Sequence, residues 1–168
     1  VAADASWRWL GTPTTWPEGW LDPTYDDTAW ASGPAPLGFG SRIVTDTQAS
    51  AGSAEQPVST IYRRTFTIED PAEFTDVVLT THADDGIVIY LNGTEINRTN
   101  MPNGTLTATS YATASPSSHS ALAAPVTMSV PVSLLRPGTN VITASVHLNY
   151  LDTADSSFVV SLTGVTPR

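Results

Sequence analysis

The chain has 168 residues, with 16 acidic and 7 basic side chains, three His and no Cys, for a formal net charge of −9 at pH 7. The absence of Cys excludes disulfides, Cys-ligated zinc, iron–sulfur clusters and a Cys nucleophile, and no apolar run approaches the ~20 residues that span a bilayer. All basic residues are Arg and form no basic patch, so nucleic acids and membranes are poor candidate partners, whereas sugars, cations and proteins remain.

Alternation of apolar and polar residues dominates the chain and predicts β-strands, because Val, Ile, Thr and aromatic residues suit a pleated, half-buried surface. A single helical turn is expected near residues 26–30, and no segment has a sustained helical period. Asn92-Gly93 follows an apolar run and predicts a tight hairpin turn. The predicted strands, in chain order, are residues 61–68, 77–82, 86–91, 126–132, 140–148 and 157–165. Short strands with regular turns indicate an all-β fold, an antiparallel β-sandwich or jelly roll.

Three long stretches resist assignment to strands. Residues 12–36 are rich in Trp, Pro and Asp, residues 41–57 are small and polar, and residues 111–125 are rich in Ser and Ala. Loops of this length in a compact domain are usually functional or mobile. We therefore expect binding residues in these stretches.

The length fits one domain, because two domains in 168 residues would each be small. Residues 1–4 have neither the basic start nor the apolar run of a signal peptide, and Pro167 after the last predicted strand indicates a linker. We expect residues 1–168 to be a single module excised from a larger multidomain protein. The Ser-, Thr- and Pro-rich composition fits a secreted, extracellular protein.

Specific sequence runs cover nearly the whole chain in a recognisable order. They are Trp9, WLDPTYDDTAW (20–30), GPAPLGFG (33–40), YRRTF (62–66), ADDGIVIYLNG (83–93), RTNMP (98–102), GTNVI (138–142) and VH (146–147). Together they resemble the galactose-binding-like β-sandwich family, and more narrowly the accessory jelly-roll domains of bacterial secreted hydrolases and phosphoesterases. The resemblance implies a galactose-binding domain-like jelly roll. By analogy with other aromatic anchors, we expect Trp9 and Trp30 to plug its core. The family includes sugar binders, protein binders and spacers, so the resemblance does not specify a ligand.

An acidic loop is the first candidate site. Calcium takes about six to eight oxygen ligands, and Asp22, Asp26, Asp27 and Thr28 supply such oxygens within seven residues. The resemblance implies a structural calcium on Asp22, Asp27 and Thr28, although the acidic ligand that family members often add from the last strand is absent from residues 158–162. The alternative is that these Asp side chains cap turns and remain solvated.

The pair Asp84-Asp85 is the second candidate metal site. The resemblance to sandwich lectins implies that such a pair before a Gly can hold a calcium that in turn holds sugar hydroxyls, and a cation would relieve the repulsion of adjacent carboxylates. The favoured alternative is a turn in which Gly86 permits an unusual backbone conformation. In either case we expect Arg98 or Arg64 to neutralise one carboxylate.

Aromatic and polar side chains outside the strands are candidates for sugar binding, because flat rings suit the apolar C–H faces of sugars. His147, Asn149 and Asp152 are expected to share one side of an extended segment. The candidate ligand-binding residues are Trp16, Trp20, Tyr25, Tyr111, His147, Asn149, Tyr150 and Asp152, with His119 as a further loop aromatic. The alternative is that these aromatics cover the bases of loops.

The three His residues are scattered, and none lies in a catalytic motif, so we expect no catalysis. The leading hypothesis is a non-catalytic carbohydrate-binding module that targets an attached secreted enzyme to a polysaccharide or oligosaccharide. The alternative is a structural or protein-interaction accessory domain packed against a neighbouring catalytic domain of the same chain. We expect a monomer with a structural calcium.

Overall fold

The computed structural model describes residues 1–12, 14–48, 56–82, 84–114, 116 and 118–168, and the side chains of Thr12, Ser118, His119 and Leu122 are not described. Part of the stretch 41–57 and the His119 side chain therefore lie outside the described residues. None of the helical segments in the described ranges has the length and apolarity to span a bilayer.

Strands account for most of the regular structure. A short helix, α1 (Ser118–Ala123), precedes the ninth strand, and two 3₁₀ turns lie at Pro71–Glu73 and Val132–Leu134. The described strands are β1 (Ser6–Thr12), β2 (Ala31–Pro34), β3 (Leu37–Phe39), β4 (Thr45–Asp46), β5 (Ser59–Ile68), β6 (Asp76–Thr81), β7 (Gly86–Leu91), β8 (Thr94–Thr99), β9 (Val126–Val130), β10 (Gly138–His147), β11 (Ser156–Phe158) and β12 (Val160–Val165).

Six antiparallel strands form the large sheet, in the order β2-β1-β5-β10-β7-β8. Two three-stranded sheets, β12-β6-β9 and β11-β3-β4, share one apolar core with the large sheet. The short pair β3–β4 is parallel, and the other pairs of these sheets are antiparallel. The molecule is an all-β antiparallel sandwich of the jelly-roll type, as the sequence predicts.

Aromatic side chains fill one part of the core between the sheets. Trp7 meets Phe158 edge-on with ring centroids 4.8 Å apart, and Tyr62 stacks on the same ring at 4.0 Å. Trp9 and Trp30 are 3% and 7% exposed, which confirms their predicted burial. Trp30, however, belongs to a second cluster that lies outside this core.

The face of the large sheet turned away from the core is covered as well. Successive residues of a strand point to opposite faces, so Val146 of β10 enters the core while His147 points to the other side, yet both are buried. Residues 14–30 supply part of the cover, where Trp20 and Trp30 form a buried cluster with Ile61 of β5. This layer contains many of the residues that the sequence nominated for a site.

The predicted strands from residue 59 onward are confirmed, with one break. The segment 157–165 divides at Val159 into β11 and β12, which belong to different sheets. Asn92 and Gly93 have φ angles of 51° and 84°, and they join β7 to β8 as the hairpin turn predicted from their identities.

The structure differs from prediction at the front of the chain and at α1. Strands β2 to β4 have only two to four residues and lie among Pro and Gly residues, which makes them hard to recognise from the sequence. Strand β1 does alternate, as Ser6-Trp7-Arg8-Trp9, and the sequence analysis did not assign it. Helix α1 has six residues, too few to show a helical period. The helical turn expected near residues 26–30 is one hydrogen-bonded turn, in which Trp30 N donates to Asp27 O at 2.9 Å.

Candidate functional site

The aromatic residues of the front loop form a packed cover on the large sheet. Trp16 and Trp20 have ring centroids 5.4 Å apart, Trp20 meets Tyr90 of β7 at 5.9 Å, and Tyr25 meets Trp30 at 5.6 Å. Trp20 is 6% exposed, and this burial corrects the expectation that its ring contacts a ligand. Trp16 and Tyr25 are half-buried, so the cover fits the alternative in which loop aromatics close the base of the loop.

A buried arginine holds this cover in place. Arg63 of β5 is fully buried, and its Nε donates to Asp27 Oδ2 at 3.1 Å. Its Nη1 and Nη2 atoms donate to the backbone carbonyls of Trp20 and Tyr25, and its guanidinium carbon lies 5.1 Å from the centre of the Tyr25 ring. A buried charge must be paired and hydrogen-bonded, and the loop provides both. The sequence analysis did not predict this role. The available signal was that Arg63 directly follows the apolar pair Ile61-Tyr62 within a predicted strand, which indicates a buried charge.

The acidic loop is organised by hydrogen bonds and by arginine. Asp22 Oδ1 accepts from Thr24 N and Oγ1, both at 2.8 Å, and these bonds lower the pKa of Asp22. Asp26 Oδ1 accepts from Thr28 Oγ1 at 2.7 Å and from Thr28 N at 3.0 Å, which lowers the pKa of Asp26 in the same way. These are the turn-capping contacts of the alternative interpretation.

The third carboxylate of this loop, that of Asp27, is bound by two arginines. Both oxygens of Asp27 face guanidinium groups, Oδ2 that of Arg63 and Oδ1 the Nε of Arg8 at 3.2 Å. Within the described part of the chain, no three His, Asp or Glu side chains are grouped as metal ligands. Asp27 is thus committed to arginine, and calcium binding by this loop stays a prediction.

Asp84 and Asp85 lie elsewhere, at the start of β7, and both are fully buried. Asp84 Oδ2 accepts from Ser157 Oγ at 3.0 Å, and Asp85 Oδ2 accepts from the backbone N–H of Asn149 at 2.8 Å. The pair therefore connects β7 to β11 and to the loop after β10. These contacts favour the structural alternative, and they separate Asp84 and Asp85 from the acidic loop that packs on β1 and β5.

The predicted reason for the glycine in the Asp–Asp turn is corrected. Gly86 does not have a positive φ; its Cα is instead closely surrounded, because an added Cβ would lie 2.8 Å from both Ala112 Cβ and Asn100 O. Arg98 makes two 2.8 Å contacts to the carboxylate of Glu95, and Arg64 donates to the carbonyl of Ser6. Close packing, rather than backbone conformation, explains the glycine.

His147 is an internal residue. Its Nδ1 lies 2.7 Å from Ser110 O, its Nε2 lies 2.9 Å from Ser145 Oγ, and its ring meets Trp16 with centroids 5.7 Å apart. Burial lowers the pKa of His147 to about 4. The expectation that His147 and Asn149 face a ligand from the same side is therefore wrong. Ser145 and His147 are both enclosed within the protein.

Exposed aromatic residues remain on two loops at the end of the sheet where β10 stops. Tyr111 is 41% exposed and Tyr150 is 48% exposed, and Leu151 beside Tyr150 is 45% exposed. Asp152 is also exposed. We call Tyr111, Tyr150 and Leu151 the tyrosine rim.

Hydrogen bonds join the two loops that carry the tyrosine rim. Ala112 N donates to Leu148 O at 2.9 Å, and Asn149 Nδ2 donates to Ala112 O at 3.1 Å. Asn149 is half-buried and positions the loops, which differs from its predicted role as a ligand contact. Asn100, which the sequence did not nominate, adds a bond from Nδ2 to Asp85 O at 2.8 Å. These hydrogen bonds fix the backbone of the two loops beneath the tyrosine rim.

Comparison with known proteins gives a likeness of fold. No protein-family model matches the chain, and no curated protein matches it. Two structures of β-glucuronidase from Bacteroides uniformis are similar to it, with TM-scores of 0.62 and 0.61 and identities of 18% and 19%; they cover 98% and 97% of this chain and 17% of each enzyme. A β-glucuronidase of Bifidobacterium dentium has a TM-score of 0.53 at 16% identity, over 86% of this chain and 19% of that one.

The chain has the fold of one part of these enzymes. It spans less than a fifth of their length. At these identities the likeness concerns the β-sandwich and carries no residue of a binding or catalytic site.

Proposed function

We propose that this chain is a non-catalytic carbohydrate-binding module that holds an attached secreted enzyme on a polysaccharide. The supporting observation is the tyrosine rim, in which two exposed aromatic side chains stand on loops that are hydrogen-bonded to each other. Flat aromatic faces are apolar surfaces for sugar rings, and neighbouring polar groups such as Asp152 supply hydrogen bonds to hydroxyls. The fold is shared with a part of longer β-glucuronidases, so a neighbouring catalytic domain is the proposed partner.

The test is a binding screen of the chain against soluble polysaccharides and oligosaccharides, followed by calorimetric titration of any glycan that binds. We expect dissociation constants between about micromolar and millimolar, because few exposed contacts must offset the cost of association. Tyr111→Ala and Tyr150→Ala should each weaken binding by about 2- to 10-fold, the size of an aromatic contact. Tyr111→Phe and Tyr150→Phe keep the rings and should bind almost as well as the wild type.

Val165→Ala serves as a control, because Val165 is an exposed apolar residue at the end of β12 and not on the tyrosine rim. Full binding by the Tyr111→Ala/Tyr150→Ala double variant would reject the rim as the site. A folded wild-type sample that binds no glycan would reject the proposed function. The same titrations in calcium and in EDTA test the calcium prediction, because a structural or sugar-contacting ion would make binding or stability sensitive to EDTA.

A structural accessory domain is the second candidate. The matched region makes up only 17–19% of each enzyme chain. A sandwich of this size within a longer chain packs beside other domains, which favours this candidate. In that case the tyrosine rim would pack against the catalytic domain of the parent protein. Binding of the chain to that domain, produced as a separate polypeptide, together with no glycan binding, would favour this candidate.

A further inference from the structure

The tripeptide Asn-Gly-Thr occurs twice in the chain, at residues 92–94 and at residues 103–105. The first lies at the hairpin turn between β7 and β8, and the second lies in the connection between β8 and α1. Asn is a thermolabile residue, and a following Gly has no Cβ to hinder the approach of its backbone nitrogen to the Asn side chain. The two tripeptides have the same local chemistry, so a difference in their reactivity arises from the fold.

Three hydrogen bonds hold the side chain of Asn92. Its Oδ1 accepts from Val141 N at 2.9 Å, and its Nδ2 donates to Leu134 O and to Asn140 Oδ1, both at 2.8 Å. Asn92 is half-buried, and its φ of 51° belongs to the hairpin turn. Rotation of this side chain towards the backbone nitrogen of Gly93 would therefore break the contacts that join the turn to β10.

The side chain of Asn103 is not held in this way. Asn103 and Gly104 are both exposed, and a Cβ added at Gly104 would meet no atom within 4 Å. Arg98 Nη1 donates to the carbonyls of Pro102 and Gly104 at 2.8 Å and 2.9 Å, which are bonds to the backbone on either side of Asn103. Within the part of the chain that the structure describes, no group bonds to the Asn103 side chain or to Gly104 N. The Asn103 side chain is therefore free to rotate towards Gly104 N.

We propose that Asn103 is a site of spontaneous deamidation in the folded protein, whereas Asn92 is protected by its hydrogen bonds. Gly104 N attacks Cγ of Asn103 and loses its proton, the Cγ–Nδ2 bond breaks, and ammonia leaves a cyclic imide. Water then opens one of the two ring C–N bonds, which gives either aspartate or isoaspartate. Water is the only co-reactant, and no electrons are transferred.

Isoaspartate at this position would change the backbone as well as the charge. The main chain then runs through the former side chain, so the path from Pro102 O to Gly104 O becomes longer by one carbon. Arg98 Nη1 bonds to both of these oxygens, and the longer path displaces at least one of them. The modification therefore loosens the connection between β8 and α1. The reactivity of Asn103 does not rest on the proposed function.

The experiment is a time course of the whole chain at mildly alkaline pH, with one sample folded and one unfolded in urea. Trypsin cleavage after Arg98 places Asn92 and Asn103 on separate peptides. Chromatography with fragmentation mass spectrometry then measures asparagine, aspartate and isoaspartate at each residue, and a sample digested at time zero gives the background. Incubation continues until the urea sample has reacted at both sites.

In the folded sample, we expect Asn103 to react at least about 10-fold faster than Asn92, because Asn92 must first lose its hydrogen bonds in a local opening of the turn. In urea the two rates should become similar, because the tripeptides are identical. Gly104→Ala is compared with the wild type in urea, since the φ of 89° at Gly104 would strain Ala in the folded protein. Its added Cβ should slow the reaction of Asn103 by about 10-fold and leave that of Asn92 unchanged.

The proposal is overturned if Asn103 of the folded chain stays unmodified while the urea sample reacts, or if Asn92 and Asn103 react at equal rates in the folded chain. It is also overturned if Asn103 reacts faster than Asn92 by the same factor in urea, because local sequence would then explain the difference. Glycan binding is measured on freshly prepared, unmodified protein, so this proposal and the proposed function can fail independently.

Discussion

His147 shows how burial changes a side chain that would otherwise titrate near neutral pH. Removal from water disfavours the imidazolium form, and this effect exceeds the opposite effect of the Ser110 carbonyl, while the positive charge of Arg98 lowers the pKa further. The carbonyl of Ser110 can only accept, so Nδ1 donates to it and Nε2 accepts from Ser145 Oγ. A neutral His147 therefore joins its own strand to the loop that carries Ser110.

This arrangement predicts a loss of stability on acidification. The pKa of His147 is about 4 in the folded protein and about 6.5 in the unfolded chain, so between these values the unfolded state binds the proton more readily. The free energy of unfolding therefore keeps its full value above pH 6.5. As the pH falls towards 4, it decreases by about 3 kcal/mol because of His147. Urea unfolding between pH 7 and pH 4.5 measures it. His147→Gln should show a shallower dependence, and an equal dependence in both proteins would contradict the assignment.

At the scale of elements, the front loop and the large sheet stabilise each other through one arginine. Residues 14–30 contain little regular structure, yet Trp20, Tyr25 and Asp27 are all tied to the guanidinium of Arg63. Breaking a buried ion pair leaves its remaining partners without compensation, whereas an exposed pair contributes little. The loop is thus part of the folded layer rather than a free binding arm.

Replacing Arg63 should accordingly have a large effect on stability. We expect Arg63→Met to lower the free energy of unfolding by about 3–5 kcal/mol, because Asp27 and two backbone carbonyls lose their buried donor. Arg8→Met, which removes the half-exposed partner of the same carboxylate, should cost about 1 kcal/mol or less. Urea unfolding followed by Trp fluorescence reports both changes. Similar losses in the two variants would show that the buried contacts of Arg63 are not decisive.

For the whole molecule, both faces of the large sheet are covered, one by the two smaller sheets and the other by loops. The exposed large apolar residues that the structure describes are Val44, Tyr111, Tyr150, Leu151 and Val165. Among these, only the tyrosine rim brings neighbours together, and the net charge of −9 opposes self-association.

We therefore expect a monomer in solution. Sedimentation velocity at about 10 to 200 μM should give one species near 17.8 kDa at physiological ionic strength. A dimer would contradict this expectation. Its dissociation by Tyr150→Ala or Leu151→Ala would then place the interface at the tyrosine rim, and its persistence would place the interface elsewhere.

The sequence by itself determined the sandwich class and the strands after residue 59, because alternation and the Asn92-Gly93 turn are local properties of the chain. It did not determine which aromatic side chains are exposed to solvent. Trp20 and Tyr150 both lie outside the strands in polar surroundings, and only the packing of residues 14–30 on the sheet buries one and leaves the other exposed. Tertiary structure likewise brought Arg8 and Arg63 together beside Asp27, since the two arginines are opposite each other in the pairing of β1 with β5 and the front loop lies over them. Burial and charge at a site depend on contacts between distant segments, and no local pattern encodes them.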